Sequence, residues 1–165
     1  MEDEIIKKFG NQLRVRVCGI LIQTDRILMV MHRSLGKEGW LWAPPGGGMN
    51  FASSAHDNLI REFREETGLI IEIKRFLFVN EFYDLPLHAI EMFFEVQQTG
   101  GILEAGKDPE MSEENQIIKD IAFLSINDFH KIGLSRIHNI MHQCSSVGEI
   151  LEMKGYYRMG QGGEI

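Results

Sequence analysis

Three glutamates carry the spacing that points most directly to chemistry, because Glu62, Glu65 and Glu66 stand at positions i, i+3 and i+4. On an α-helix this spacing places all three within an arc of about 100°. Like charges so close together are destabilising, and a divalent cation would remove the repulsion. Hard carboxylate oxygens suit Mg²⁺ or Mn²⁺ far better than Zn²⁺, so the spacing indicates a site for one of these ions. For three glutamates taken alone, a solvated acidic face on an ordinary amphipathic helix is the alternative.

Local signals predict a helix from about Ala55 to Thr67. Ser54 is a favourable N-cap residue, and Asp57 holds the reciprocal capping position. Gly68 suits the left-handed residue that follows a helix end. The last glutamates therefore lie in the final turn, where the helix dipole disfavours negative charge. A sequence selected only for stability would avoid that arrangement, so it suggests a function.

One face of this helix is apolar, since Leu59 and Phe63 lie four residues apart. Glu66 projects close to that apolar stripe, so we expect at least one carboxylate to border the core. Unpaired like charges there would raise one another's pKa. Arg61 can pair with Glu65 one turn along the helix, but one arginine cannot neutralise three carboxylates.

The elements around the helix predict an α/β (α+β) sandwich, in which a mixed β-sheet is flanked by helices. Residues 34–50 are rich in glycine and proline and are predicted to form a loop, from which backbone carbonyls of Gly46–Gly48 could approach the ions. Runs rich in Val, Ile and Leu predict strands at 13–22, 27–31, 71–80, 87–97 and 121–124. Turns are predicted at 23–26 and 100–101, and further helices at 125–133 and 135–143.

Composition bounds the class of protein. With 165 residues, 44% of them hydrophobic, we expect one domain over residues 1–159 and a disordered tail at 160–165. The net charge of −7 argues against a general nucleic-acid-binding surface. Two cysteines cannot form a disulfide framework, and no apolar run approaches the roughly 20 residues of a membrane span. We therefore expect no membrane association and a cytoplasmic setting.

The predicted strand at 87–97 carries two further acidic residues, Glu91 and Glu95, which are four apart and so share one face. That face could be turned either to solvent or to a cleft. A solvated strand face is the interpretation that we favour from the sequence.

The segment from Gly47 to Leu69 resembles the signature of the Nudix hydrolases, G-x5-E-x7-R-E-U-x-E-E-x-G-U, in which U is a bulky aliphatic or similar residue. The preceding Pro45-Gly46-Gly47 matches the usual lead-in. The remaining matches are Arg61, Glu62, Phe63, Glu65, Glu66, Gly68 and Leu69. Ser53 stands where the signature has its first glutamate, and Ala52 stands at a neighbouring position that is often glycine in the family.

The resemblance implies hydrolysis of a nucleoside diphosphate linked to another moiety, with water attacking the pyrophosphate. It implies that this reaction depends on Mg²⁺ or Mn²⁺. By family position, the metal would be held by Glu62, Glu65, Glu66 and the carbonyl of Gly46. Arg61 would orient a box glutamate through a charge-assisted hydrogen bond.

The catalytic base differs between family members, and here the candidates are Glu65 and a glutamate of the later loop, Glu114. Arg33, Gly47 and Gly48 are the candidate contacts to the nucleotide-type substrate. Many relatives form dimers, and the long apolar strands are compatible with a homodimer.

Two alternatives stay open at this point. Loss of the carboxylate at Ser53 would suit a domain that keeps the fold and binds nucleotides without turning them over. An unrelated acidic helix that mimics the signature is the other. The intact set Glu62, Glu65 and Glu66 favours an enzyme, since a pure sensor need not keep three mutually repelling carboxylates.

We predict that Ser53→Glu strengthens metal binding, because it returns a carboxylate to the edge of the glutamate cluster. Titration calorimetry with Mn²⁺ measures the effect. Equal or weaker Mn²⁺ affinity in the variant would contradict the prediction.

Overall fold

A computed structural model describes residues 7, 9–33, 36, 38–106 and 117–159 of the chain, so the tail predicted at 160–165 lies outside the described residues. The strands are β1 (Gln12–Ile20), β2 (Ile22–Gln23), β3 (Arg26–Arg33), β4 (Trp40–Ala43), β5 (Gly46–Gly48), β6 (Leu69–Asp84), β7 (Leu87–Gly101), β8 (Ile118–Leu124) and β9 (Gly155–Tyr157). The α-helices are α1 (Ala55–Thr67) and α2 (Ile126–Ile132). No helix among these residues is long and apolar enough to cross a membrane.

The strands form two sheets. The larger sheet has the order β5-β1-β7-β6-β9 and is mixed, since β1 runs parallel to β7 while β6 and β7 form a long antiparallel hairpin. In the smaller sheet β3 is central, with β8 along one edge and β2 and β4 along the other. Helices flank these sheets, so the predicted α/β sandwich is confirmed.

Two apolar clusters lie on opposite faces of the strands. Under α1, Leu59 and Phe63 pack against Val17 and Phe94. On the other face, a larger cluster joins strand residues such as Phe93 to the segment after β8. Because side chains alternate along a strand, Val17 faces α1 while its neighbours on β1 face the second cluster.

The predicted helix is confirmed as α1, and its ends match the local signals. The Ser54 hydroxyl accepts a hydrogen bond from the Asp57 backbone N–H. Gly68 has a left-handed φ of 70° and donates its N–H to the carbonyl of Arg64. Glu66 is buried beside the apolar stripe, as predicted. The helix is therefore positioned by local sequence as well as by packing.

The prediction that residues 34–50 form only a loop is wrong, because β4 and β5 lie within this stretch. Apolar Trp40–Ala43 pairs with the end of β3. The glycines of β5 pair with β1, where a Cβ on Gly46 would lie 2.0 Å from the carbonyl oxygen of Val17. Position 46 therefore needs glycine, because the two strands approach too closely for a side chain. A prediction from composition alone assigns such a glycine-rich segment to a loop.

Two other boundaries also differ from the sequence prediction. The expected helix at 135–143 is two 3₁₀ turns, because Ile137 is extended and bridges Trp42 while the His138 N–H donates to the Trp42 carbonyl at 2.8 Å. The expected turn at Gly100-Gly101 is the end of β7, which continues pairing with Leu69. In both places pairing with a distant strand overrides the local pattern.

Ala52 has a φ of 61°, in the left-handed region that strains any residue with a side chain. Ala52→Gly should raise the free energy of unfolding by about 1 kcal/mol, because glycine adopts this conformation without the Cβ clash. Urea denaturation measures the change. Ala55→Gly, in the first turn of α1, is the matched control and should lower stability by about 1 kcal/mol. A loss of stability in Ala52→Gly would contradict the prediction.

Candidate functional site

The candidate site lies where α1 meets β5, and its centre is the backbone of Gly46. The Gly46 N–H donates a 2.8 Å hydrogen bond to Oε2 of Glu66, and both residues are buried. On the other side Gly46 lies directly against β1. One carboxylate of the helix is therefore tied to the glycine strand, which fixes the helix relative to that strand.

Glu62 lies against the next glycine. A Cβ on Gly47 would fall 2.4 Å from the carboxylate carbon of Glu62, so the side chain occupies space that only glycine leaves. Burial raises the pKa of Glu62 above its ordinary value, although Arg61 beside it acts in the opposite direction. The ionised form of Glu62 is therefore costly in its present surroundings, and a cation would relieve that cost.

Arg61 bridges the carboxylates of Glu62 and Glu65. Its Nη2 lies 2.7 Å from Oε1 of Glu62 and its Nη1 lies 2.7 Å from Oε2 of Glu65. Burial opposes the charge on Arg61, but the two carboxylates raise its pKa above the ordinary value. Arg61 and Glu65 also border an open surface depression of about 590 Å³. The predicted i, i+4 pair is confirmed, and the same arginine also binds a second glutamate.

Asn58, which the sequence analysis did not single out, joins the loop before α1 to this arginine. Its Oδ1 accepts the Asn50 N–H at 2.9 Å, and its Nδ2 donates to the carbonyl of Ser54 at 2.6 Å. Nη2 of Arg61 lies 3.4 Å from the same Oδ1. The buried amide therefore fixes the loop and the arginine together.

The donor set fits a hard divalent cation in its chemistry. The carboxylates of Glu62, Glu65 and Glu66 lie on one face of α1, with side-chain exposures of 15%, 31% and 10%. As they stand, no three His, Cys, Asp or Glu side chains among the described residues converge closely enough to hold an ion. The reason is that Glu62 and Glu65 are both turned toward Arg61. The oxygens suit Mg²⁺ or Mn²⁺, and the single charge of Arg61 is shared between two of the three carboxylates.

A largely buried cluster of polar side chains lies behind Gly46, and its central residues are on β1 and β7. Arg16 donates from Nη2 to the Gly46 carbonyl at 3.5 Å, and its Nε lies 3.6 Å from Oε1 of Glu91. Oε2 of Glu91 accepts from Nδ2 of Asn80 at 2.9 Å and lies 3.3 Å from Nε2 of His138. Although burial opposes ionisation, His138, Arg16 and Asn80 lower the pKa of Glu91 to about 2. Glu91 is therefore a buried anion with three partners.

The sequence interpretation of Glu91 as part of a solvated strand face is wrong. Glu95 on the same face is partly exposed and pairs with Arg75 at 2.6 Å, but Glu91 is only 5% exposed. The difference arises because the middle of β7 is covered by the segment that contains His138. That contact comes from residues far along the chain, which strand periodicity cannot reveal.

His32 is a further buried polar residue beside the glutamate cluster. Its Nε2 lies 4.0 Å from Oε1 of Glu66. Burial, with Arg16 and His138 nearby, lowers the pKa of His32 to about 3. The ring is therefore neutral at neutral pH and forms no ion pair with Glu66.

The remaining predicted residues lie at different places. Gly48 pairs with Arg16 across the β5–β1 ladder, beside Gly47. Arg33 is exposed at the end of β3, and no contact described here brings its side chain to the glutamates. Glu114 lies outside the described residues. Arg33 and Glu114 therefore stay predictions.

The chain after β7 returns to the end of α1. The Glu104 N–H donates to the carbonyl of Thr67 at 3.0 Å, and the Gly106 N–H donates to the carbonyl of Glu66 at 2.8 Å. A Cβ on Gly106 would lie 1.6 Å from the carbonyl oxygen of Glu65, so this contact also needs glycine. The last described residues before position 107 thus cap the helix end that carries the glutamates.

Arg16, Asn58 and Asn80 are polar residues of this region that the sequence analysis did not single out, and it placed Glu91 on a solvated face. A signal existed for Arg16, which stands between Val15 and Val17 in a strand that is otherwise largely apolar. Asn58 resembles any polar residue of a helix surface, so its burial follows only from the fold.

Comparison with known proteins identifies the arrangement. The sequence model of the NUDIX domain matches residues 12–143. The chain is 33% identical over 132 residues to an ADP-ribose pyrophosphatase of Methanocaldococcus jannaschii, covering 78% of this chain and 72% of that protein.

Solved structures show the same fold. A crystal structure of an ADP-ribose pyrophosphatase from Streptococcus suis superimposes with a TM-score of 0.59 at 20% identity, covering 87% of this chain and 98% of that chain. A UDP-X diphosphatase gives a TM-score of 0.64 at 21% identity, covering 93% and 72%. At these identities the structural likeness establishes the fold alone.

Gly47→Ala should displace Glu62, because the added methyl group would overlap its carboxylate. Gly47 lacks the positive φ that disfavours side chains, so the change tests space alone. We expect Mn²⁺ affinity, measured by calorimetry, to fall by about tenfold or more. Gly148→Ala is the matched control, since its nearest atom would be 4.0 Å away, and it should change nothing. Unchanged Mn²⁺ affinity in Gly47→Ala would show that the contact has no part in metal binding.

Proposed function

The chain belongs to the Nudix hydrolase family, and we propose that it hydrolyses the pyrophosphate bond of a nucleoside diphosphate linked to another moiety. The observation that carries the proposal is the hydrogen bond that ties buried Glu66 to Gly46, which sets three carboxylates beside a glycine strand. Phosphate-rich substrates need charge neutralisation and positioning more than covalent chemistry. A cluster of carboxylates that can hold a divalent cation next to backbone groups supplies both.

We propose ADP-ribose as the first substrate to test. The support is the name of the M. jannaschii relative, which is similar over most of both chains. The likeness in fold to a UDP-X diphosphatase keeps other nucleoside diphosphate derivatives in the panel. Hydrolysis of ADP-ribose by one water molecule would give AMP and ribose 5-phosphate.

In the proposed mechanism, Glu65 accepts a proton from the attacking water. The water oxygen forms a bond to one phosphorus, and the bond from that phosphorus to the bridging oxygen breaks. Arg61 restrains Glu65 through the 2.7 Å contact. Glu114, from the segment outside the described residues, is the second candidate for the base.

Glu62, Glu65, Glu66 and the Gly46 carbonyl would hold Mg²⁺ or Mn²⁺. When bound, the cation supplies neutralisation of the pyrophosphate charge and lowers the pKa of a bound water. Arg33, Gly47 and Gly48 are proposed to contact the substrate. Gly47 and Gly48 adjoin the carboxylates, and their backbone leaves room for a close approach.

A nucleotide-binding domain with weak or no turnover is the second candidate. Two observations favour it: Ser53 replaces the first signature glutamate, and Arg61 occupies the position between Glu62 and Glu65. Such a domain would bind a nucleotide and keep its fold, but it would release no product.

We also propose a single domain over residues 1–159, a cytoplasmic setting and a homodimer. Each is a prediction from composition or family likeness. Gel filtration with light scattering measures the oligomeric state directly.

We expect hydrolysis of at least one nucleoside diphosphate derivative when Mg²⁺ or Mn²⁺ is present and loss of activity when EDTA removes it. Chromatography of the products over a panel of ADP-ribose, nucleotide sugars, nucleoside triphosphates and dinucleoside polyphosphates identifies the substrate. Glu65→Gln should lower kcat by about 10²- to 10⁴-fold, because the base is lost. Glu72→Gln, an exposed change on β6, is the matched control and should keep full activity.

Two outcomes would contradict the enzyme proposal. One is an absence of turnover at high enzyme concentration while a nucleotide still raises the melting temperature, which would favour the binding domain. The other is unchanged metal binding in Glu65→Gln and Glu66→Gln, which would identify the helix as an acidic face without a metal. If Glu65→Gln keeps kcat while metal binding is intact, the base lies elsewhere.

A further inference from the structure

An ion pair of partly buried Arg16 and buried Glu91 lies behind the candidate metal site, on the face of β1 turned away from α1. Arg16 contacts both the Gly46 carbonyl and Glu91. Both polar backbone groups of Gly46 are therefore held, since its N–H donates to Glu66 and its carbonyl faces Arg16.

The anion of this pair is itself fixed in place. Glu91 is 5% exposed and is held by Asn80 at 2.9 Å and by His138 at 3.3 Å. The Ile140 N–H points to Nδ1 of His138 at 3.4 Å, so in the neutral ring the proton lies on Nε2, facing Glu91. These contacts come from β6 and from the segment after α2, so several parts of the fold orient one carboxylate.

An arginine without a counter-ion would weaken cation binding here, because Arg16 contacts the carbonyl that is proposed to bind the metal. Its charge would repel the metal, and its guanidinium could instead bind Glu62 or Glu66, whose negative charges help to raise the pKa of Arg16. Glu91 cancels the charge and draws Nε of Arg16 toward β7. The pair therefore leaves one polar contact directed at the site, from Nη2 to the Gly46 carbonyl.

We propose that Arg16 and Glu91 are positioning residues that orient the Gly46 carbonyl for metal binding, an inference that rests on the proposed function. Groups that orient the ligands of a metal affect its affinity without touching it. The role has two separable parts. Glu91 compensates the charge of Arg16, and Arg16 fixes the carbonyl.

The first test is Glu91→Gln, which keeps the size of the side chain and removes its charge. Mn²⁺ affinity, measured by electron paramagnetic resonance of free Mn²⁺, should fall by about 10- to 100-fold. Turnover should be lost at limiting Mn²⁺ and recovered at saturating Mn²⁺, with the KM for the nucleotide unchanged. Because bound metal also stabilises a folded protein, circular dichroism of metal-free Glu91→Gln must show that the variant is folded at the assay temperature. Loss of Mn²⁺ affinity that is explained by unfolding of the metal-free variant would overturn the proposal.

The matched control is Glu95→Gln on the same strand. It breaks the cross-strand pair with Arg75, whose contact is 2.6 Å and whose side chains are partly exposed. We expect Mn²⁺ affinity to equal that of the unmodified protein. An equal loss in both variants would overturn the proposal, because the effect would then follow from any broken ion pair of β7.

A double variant, Arg16→Met with Glu91→Gln, separates positioning from charge. Removing one partner of a buried pair is strongly destabilising, whereas removing both charges together is often tolerated. Because the two charges of the pair cancel, the double variant leaves the net charge near the site unchanged. We expect it to fold, as judged by circular dichroism, and to bind Mn²⁺ about tenfold more weakly.

Wild-type Mn²⁺ affinity in the folded double variant would overturn the positioning role of Arg16. Failure of the proposed function is distinguishable from this. If the unmodified protein binds Mn²⁺ but hydrolyses nothing in the panel, the enzyme proposal fails. The Mn²⁺ affinities of the variants then still test the positioning role of Arg16 and Glu91. If the unmodified protein binds no Mn²⁺, the inference is overturned as well.

Discussion

The hydrogen bond from the Gly46 N–H to the Glu66 carboxylate is the contact on which the geometry of the candidate site depends. A carboxylate as buried as Glu66 is stable only when donors replace its lost hydration. The backbone N–H of a strand is a rigid donor, and hydrogen bonds to charged groups are stronger than neutral ones. Since Glu62 and Glu65 lie on the same helix, fixing Glu66 also sets the position of their backbone.

The two faces of the strand layer contribute different things to this site. The face that carries α1 brings the carboxylates, and Val17 anchors that face in the apolar cluster below the helix. The other face contains Arg16 and Glu91, which lie opposite each other on β1 and β7. Each precedes by one residue a side chain that faces α1, so it points to the opposite face. Gly46 contacts polar groups of both faces, because it has no side chain to block their approach to its backbone. A glycine strand can therefore connect two layers that bulkier residues would separate.

Sequence reasoning succeeded where several local signals agreed. The cap at Ser54, the glycine at Gly68 and the apolar stripe all specify the same helix, and the structure has that helix at the predicted residues. It failed where a segment distant in the sequence decided the outcome. The glycines of β5 form a strand only because β1 lies beside them, and Glu91 is buried only because His138 covers it. The chemistry of the site was thus evident from the spacing, while its polar support was not.

The bridge that Arg61 makes between Glu62 and Glu65 has a consequence for assembly of the protein. In small zinc domains the metal supplies the folding energy, so the free chain is unfolded. Here the helix carries its own counter-ion, and the repulsion among its carboxylates is already reduced before any metal arrives. Folding and metal loading can therefore be separate events. A folded chain of this kind could lose and regain its cation as the supply changes, without passing through an unfolded state.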